Sequence, residues 1–316
     1  MQAIKKSLLK AVLALSGVCF LLNTAQAQFE PQFTQYMFNE MFINPAYAGS
    51  RDNISLTGAY RNQWVGIEGA PITQTLSGHA PLKNKKIGVG LSLMNEKIGV
   101  THDMALFANY AYRIPIHDDA VLSMGLQAGL INHEEKLLEI HTQDAGDVSF
   151  SANTPKLYLP NAGFGLYYFS KKYYAGISIP RMLQNKINLV ANDMVSNEVN
   201  LSYWHYYLMG GYVYDATEEI KIKPTFMVKA VAGAPLEADI GVNALLKETL
   251  WVGASYRTKD SWAAILSFQV NRQLRIGYSY DYTMTDLQQF NTGTHEITVG
   301  YDFSFDKSKI ITPRYF

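Results

Sequence analysis

EITVGYDFSF, residues 296–305, decides how this chain is read. In an extended conformation Ile297, Val299, Tyr301, Phe303 and Phe305 lie on one side, and Glu296, Thr298, Gly300, Asp302 and Ser304 on the other. Such a strand needs a greasy environment on one face and a wet one on the other. RIGYSYDY (275–282) repeats the pattern, with Ile276, Tyr278, Tyr280 and Tyr282 opposing Arg275, Gly277, Ser279 and Asp281. KIGVGLSL (86–93) sets Ile87, Val89, Leu91 and Leu93 against Gly88, Gly90 and Ser92. In KIKPTFMVKA (221–230), Ile222, Pro224, Phe226, Val228 and Ala230 oppose Lys221, Lys223, Thr225 and Lys229.

Extended along the chain, the two-residue period predicts fourteen strands, near 53–64, 72–82, 86–95, 101–114, 119–132, 161–170, 172–180, 202–214, 219–231, 235–246, 248–258, 261–270, 273–283 and 294–305. The connectors sort by parity. The odd ones include 65–71, 96–100, 133–160, 181–201 and 284–293, while the even ones are a few residues each. Two odd ones, near 232–234 and 259–260, are also short. Long loops on one side and tight turns on the other are the habit of outer-membrane barrels, which place both termini with the turns. A periplasmic sandwich or propeller would also alternate, but its outer face would carry more charge than the 17% here.

Composition agrees. Tyr (21) and Phe (15) are abundant. Residues 1–27 read as an export signal: Lys5, Lys6 and Lys10, an apolar run from Ala11 to Leu22, then Ala25-Gln26-Ala27 for cleavage. The only cysteine, Cys19, falls inside it, so disulfide and thiolate chemistry are excluded from the remainder. Without those three lysines the 27 basic residues become 24 against 27 acidic, no balance for nucleic acid. Beyond the signal no apolar run is long enough for a membrane helix, which leaves the antiparallel transmembrane β-barrel. The expected organisation is a signal over 1–27, an N-terminal periplasmic or plug segment over 28–52, an outer-membrane barrel over 53–305 and a periplasmic tail over 306–316.

Candidate chemistry is thin. Ser77 and His79 share a strand face, as a barrel lipase would need, but no nucleophile elbow or orienting carboxylate accompanies them. Asp144 and Asp147 flank a glycine without an EF-hand pattern. No metal, cofactor or catalytic set is expected. Trp64, Trp204, Tyr256 and Trp262 suit interfacial girdles. If the connector at 232–234 sets the register, Lys229 faces Glu237 with Asp239 on the diagonal.

QYMFNEMFINPAYAGS, residues 35–50, does not alternate. Met37, Phe38, Met41 and Phe42 form a helical stripe, Pro45 ends it, Asn44 before it favours extended geometry, and Gly49-Ser50 turns toward the first strand. The stripe fits either a lumen plug or a docking surface at the periplasmic mouth. This stretch, through Gln35, Tyr36, Met37, Phe38, Asn39, Asn44, Pro45, Ala46, Tyr47, Ala48 and Gly49, resembles the N-terminal signature of the PorP/SprF family of Bacteroidota outer-membrane proteins. The ending Thr312-Pro313-Arg314-Tyr315-Phe316 is similar to one common there, with Thr where Ser is usual. The resemblance covers the whole chain. It implies a non-enzymatic component of type IX secretion that associates with the periplasmic machinery. It also implies pairing with a secreted protein carrying a C-terminal sorting domain, such as a gliding-motility adhesin, in support of its export and surface retention. On this reading both termini and residues 35–50 face the periplasm, and the 133–160 and 181–201 loops face outward. The rival reading is a passive porin or small-molecule transporter.

Overall fold

The computed structural model describes residues 30–51, 53–117, 119–140, 152–188 and 193–303. The expected signal, the tail over 306–316, and Asp144 and Asp147 lie outside them. The strands are β1 (Ile54–Asn62), β2 (Ile72–Pro81), β3 (Ile87–Ile98), β4 (Thr101–His117), β5 (Ala120–Glu135), β6 (Leu157–Ser170), β7 (Tyr173–Ile179), β8 (Leu183–Asn188), β9 (Asp193–Val199), β10 (Tyr206–Tyr212), β11 (Tyr214–Asp215), β12 (Ile220–Ala230), β13 (Glu237–Leu246), β14 (Leu250–Arg257), β15 (Ser261–Gln269), β16 (Leu274–Thr283) and β17 (Thr294–Phe303).

Fourteen of these make a closed antiparallel barrel, as the alternation predicts. Each pairs with its neighbour in sequence, β7 pairs with β10, β10 with β12, and β1 closes on β17 from Ile54↔Phe303 to Asn62↔His295. Closure leaves no unpaired edge in the bilayer, where an unsatisfied peptide group would be costly. β8 and β9 form a separate hairpin within the long connector after β7, and β11 continues β10 along β12. Two expectations need correction. The strand placed at 202–214 begins only at Tyr206, because Leu201–Tyr203 is a 3-10 turn capped by the Asn200 side chain. The connector at 96–100 shrinks to Gly99 and Val100, because β3 runs on to Ile98 and Gly99 takes the positive φ (56°) that a tight turn needs.

The long connectors gather at one rim and the tight turns at the other. In one tight turn Lys247 and Glu248 both take positive φ, 49° and 55°, as a type I′ hairpin requires. In outer-membrane barrels the rim that carries the long loops is the external one. Outward side chains form an apolar belt: Leu91, Leu126 and Ile240 are each 58% exposed to the surroundings. In EITVGYDFSF, Ile297, at 48%, faces out, while Glu296, at 1%, faces in. Trp262 faces out and stacks on Tyr256 at 4.6 Å near the long-loop rim, as a girdle pair would. Trp204 instead ties loop to loop, its Nε1 donating to the Met182 carbonyl at 2.8 Å.

The lumen is not a water-filled tube. Its core is built from residues 33–48 and from inward wall side chains, among them Tyr167, Tyr174, Tyr207, Met209, Met227, Leu245 and Trp251. Met227 is the apolar member of an otherwise polar inward row, and it is buried against this core.

Candidate functional site: the segment inside the barrel

Residues 30–51 lie within the barrel. The helical stripe is not one helix. It is three 3-10 turns, Tyr36–Phe38, Glu40–Phe42 and Pro45–Tyr47. Two asparagines interrupt the path. Asn39 donates through Nδ2 to Thr75 Oγ1 at 3.3 Å and accepts from Ser77 Oγ at 3.2 Å. Asn44 is extended (φ −136°, ψ 110°), accepts from the Ala46 amide at 2.9 Å, and donates to the Leu166 carbonyl at 2.9 Å. Pro45 therefore opens the third turn, where its missing N–H costs nothing, and does not end a helix.

At the short-turn rim the wall comes very close. A Cβ on Gly125 would sit 2.1 Å from the Ala46 nitrogen, and one on Gly165 2.0 Å from Asn44 Oδ1. Glycine at these inward positions makes room for the segment. Gly49 turns the chain toward β1 with φ 71°, and its amide donates to His79 Nδ1 at 3.1 Å. Ser123 and Ser178 donate to the carbonyls of Ala46 and Ile43 at 2.7 and 2.6 Å. The Ser77 and His79 considered for catalysis are thus occupied in holding this segment.

Midway, Met37, Phe38 and Met41 are buried, each contributing about 1.5–3 kcal/mol if removed from water completely. Phe42, half-buried, meets Phe33 at 6.0 Å. The Phe38 ring lies edge-on to Trp251 at 5.7 Å and under the Arg275 guanidinium at 4.0 Å. Tyr47 makes T-shaped contacts with His79 and Tyr167 at 5.1 and 5.5 Å. Glu40 is fully buried in this core.

Toward the long-loop rim the segment meets a buried ion cluster. Arg61 reaches Asp281 at 2.8 Å and Glu296 at 3.0 Å. The two oxygens of Glu296 accept the backbone amides of Thr34 and Gln35, each at 2.9 Å. The Thr34 hydroxyl donates to Asp281 at 2.6 Å and accepts from Arg61 at 2.9 Å. Gln35 accepts from Thr298 Oγ1 at 2.9 Å. Arg257 joins Asp239 at 2.8 Å and donates to the Gln32 side chain at 3.2 Å. The expected Lys229–Glu237 pair forms at 2.8 Å in the expected register, and Asp239 is taken by Arg257. Finally Glu30 pairs with Arg181, at the start of the long connector after β7, at 3.4 Å.

The segment therefore climbs the lumen from Gly49 at the tight turns to Glu30 at the long loops. Of the two fates expected for residues 35–50, lumen plug or docking surface at the mouth, they lie along the lumen; the segment's C-terminal end is at the tight-turn rim and its N-terminal end at the other. The alternation puts Glu296, Asp281, Arg275 and Lys223 on the inward face, but no local pattern marks Arg61 and Arg257 as the cations that meet the acids.

The sequence profile of a family described as "Type IX secretion system membrane protein PorP/SprF" matches residues 25–301. No curated protein matches the chain. Among solved structures it is similar to the Ralstonia pickettii toluene transporter TbuX, with a TM-score of 0.51 at 8% identity, over 90% of this chain and 97% of that one. It is also similar to the Acinetobacter baumannii outer membrane protein Omp33, with a TM-score of 0.44 at 10% identity, over 79% and 98%. Identities this low speak to the barrel fold alone.

Proposed function

The chain belongs to the PorP/SprF family of type IX secretion system membrane proteins, and from that premise we propose that it is a non-enzymatic docking component working through its two rims. The short-turn rim meets the secretion machinery in the periplasm. The long-loop rim, with the β8–β9 hairpin, meets a secreted adhesin bearing a C-terminal sorting domain and supports its export and surface retention. The observation that carries this reading is the occupied lumen. A barrel filled along its height offers surfaces, where a porin offers a conduit. The lumen segment acts as a plug that makes the barrel rigid, and its docking role is confined to whatever the rims expose.

Photo-crosslinking residues at the two rims test this. Val199 and Leu201, 65% and 60% exposed beside the hairpin, are expected to capture a secreted protein, with adducts lost when its sorting domain is deleted. The exposed turn residue Asn84 is expected to capture periplasmic machinery only. Adducts from Val199 and Leu201 that persist without any sorting-domain protein would overturn the outer half of the proposal.

A further inference from the structure

At the short-turn rim a cavity of about 480 Å³ opens between the turns around Glu248 and Asn271 and the ends of β1 and β17. Four cationic side chains line it: Arg51, Lys247, Arg272 and Arg275. Two carboxylates, Asp302 and Glu248, also line it, leaving a formal excess of positive charge. Asp302 is already engaged, held by Arg51 at 2.8 Å and by the Ser55 hydroxyl at 2.6 Å.

Arg275 is the anomaly. It is only 7% exposed, yet no hydrogen-bond or ion-pair partner for it is found among the described residues, and its Nε is sealed from solvent. A guanidinium carries five N–H donors and no acceptor, and a buried one normally pairs with a carboxylate or phosphate. Stacking on Phe38 at 4.0 Å satisfies the face of the ion but none of its edge donors. Arg275 is itself among the residues that line the cavity. Beside it the inward Trp251 ring supplies an apolar wall. A planar charged fork next to an apolar wall is suited to a carboxylate attached to a bulky side chain.

We propose that this cavity is a binding site for the carboxylate end of a periplasmic peptide, with Arg275 as the bidentate anchor, Arg272 and Lys247 as the electrostatic rim, and Trp251 meeting the terminal apolar side chain. The cavity has the size of an ordinary small-ligand site, roughly 300–1,000 Å³. The site follows from the cavity's own chemistry and stands whether or not this rim also meets secretion machinery.

The test is calorimetric titration of the full-length barrel in detergent with N-acetyl-Gly-Phe as probe. The free acid is expected to bind at least tenfold more tightly than its C-terminal amide, and more weakly as salt rises. Arg275→Gln is expected to lose at least tenfold, and Arg275→Lys to recover part of it. Arg272→Gln, an exposed position that leaves the Phe38 stack intact, is expected to lose severalfold in a barrel with wild-type melting. Equal binding of acid and amide, or an Arg272→Gln barrel that binds like wild type, would overturn the proposal. Inorganic phosphate displacing the probe at equal concentration would overturn the peptide assignment.

Discussion

Replacing Arg61 with alanine is expected to destabilise the folded barrel by about 3–5 kcal/mol, the usual effect of removing one partner from a buried ion pair. Arg61, Asp281 and Glu296 are at most 3% exposed. Without Arg61 two carboxylates remain inside the wall. The nearest other cation, Arg257, is 3.8 Å from Asp281 and already serves Asp239 and Asp260. Thr34 also loses the donor to its hydroxyl, so the clamp on the lumen segment loosens with the wall. Arg61→Lys keeps the charge but cannot fork between two carboxylates, and should fall between alanine and wild type. The control is Lys97→Ala, whose contact with Glu139 spans 3.9 Å between half-exposed side chains and should change stability by no more than about 0.5 kcal/mol. Urea unfolding in detergent micelles measures all three. Equal midpoints for Arg61→Ala and Lys97→Ala would show that the cluster contributes nothing.

The second large effect is electrical. The purified wild-type barrel is expected to be silent in a planar bilayer, because residues 33–48 share one packed core with the inward side chains of β6, β7, β10, β12, β13 and β14. A variant lacking residues 33–48 should show steady single-channel steps, since fourteen strands enclose a wide lumen once it is emptied. Steady steps from the wild type would favour the porin reading. The likeness to a toluene transporter does not weigh against silence, because at 8% identity it reports only the fold.

How much of this was legible in the sequence follows from the range of each interaction. Alternation is a property of adjacent residues, so the wall could be read from EITVGYDFSF and its counterparts. Loop parity then gave the rims, and a short connector gave the Lys229–Glu237 pair. The path of the lumen segment was not legible. Its decisive contacts join Thr34 to Asp281 and Gln35 to Glu296, separated by 247 and 261 residues. No local pattern records a partner that far away. The spacing of Met37, Phe38, Met41 and Phe42 looked helical because a stripe was assumed to face one surface. Inside a barrel a segment is buried on every side, so Asn39 and Asn44 face the wall as fully as the methionines do, and successive 3-10 turns satisfy both. Met227 breaks the polar inward row of β12 because it packs into the core around residues 33–48.

The route of residues 30–51 is the claim on which the rest depends, and epitope accessibility tests it most directly. An epitope inserted directly after Gln28, the residue expected to begin the exported chain, should bind antibody on intact cells, because Glu30 is paired with Arg181 at the long-loop rim. An epitope in the turn at Asn84 should be detected only after the outer membrane is permeabilised. Detection of the N-terminal epitope only after permeabilisation would mean that the segment enters and leaves by the same rim, contrary to the path from Gly49 to Glu30.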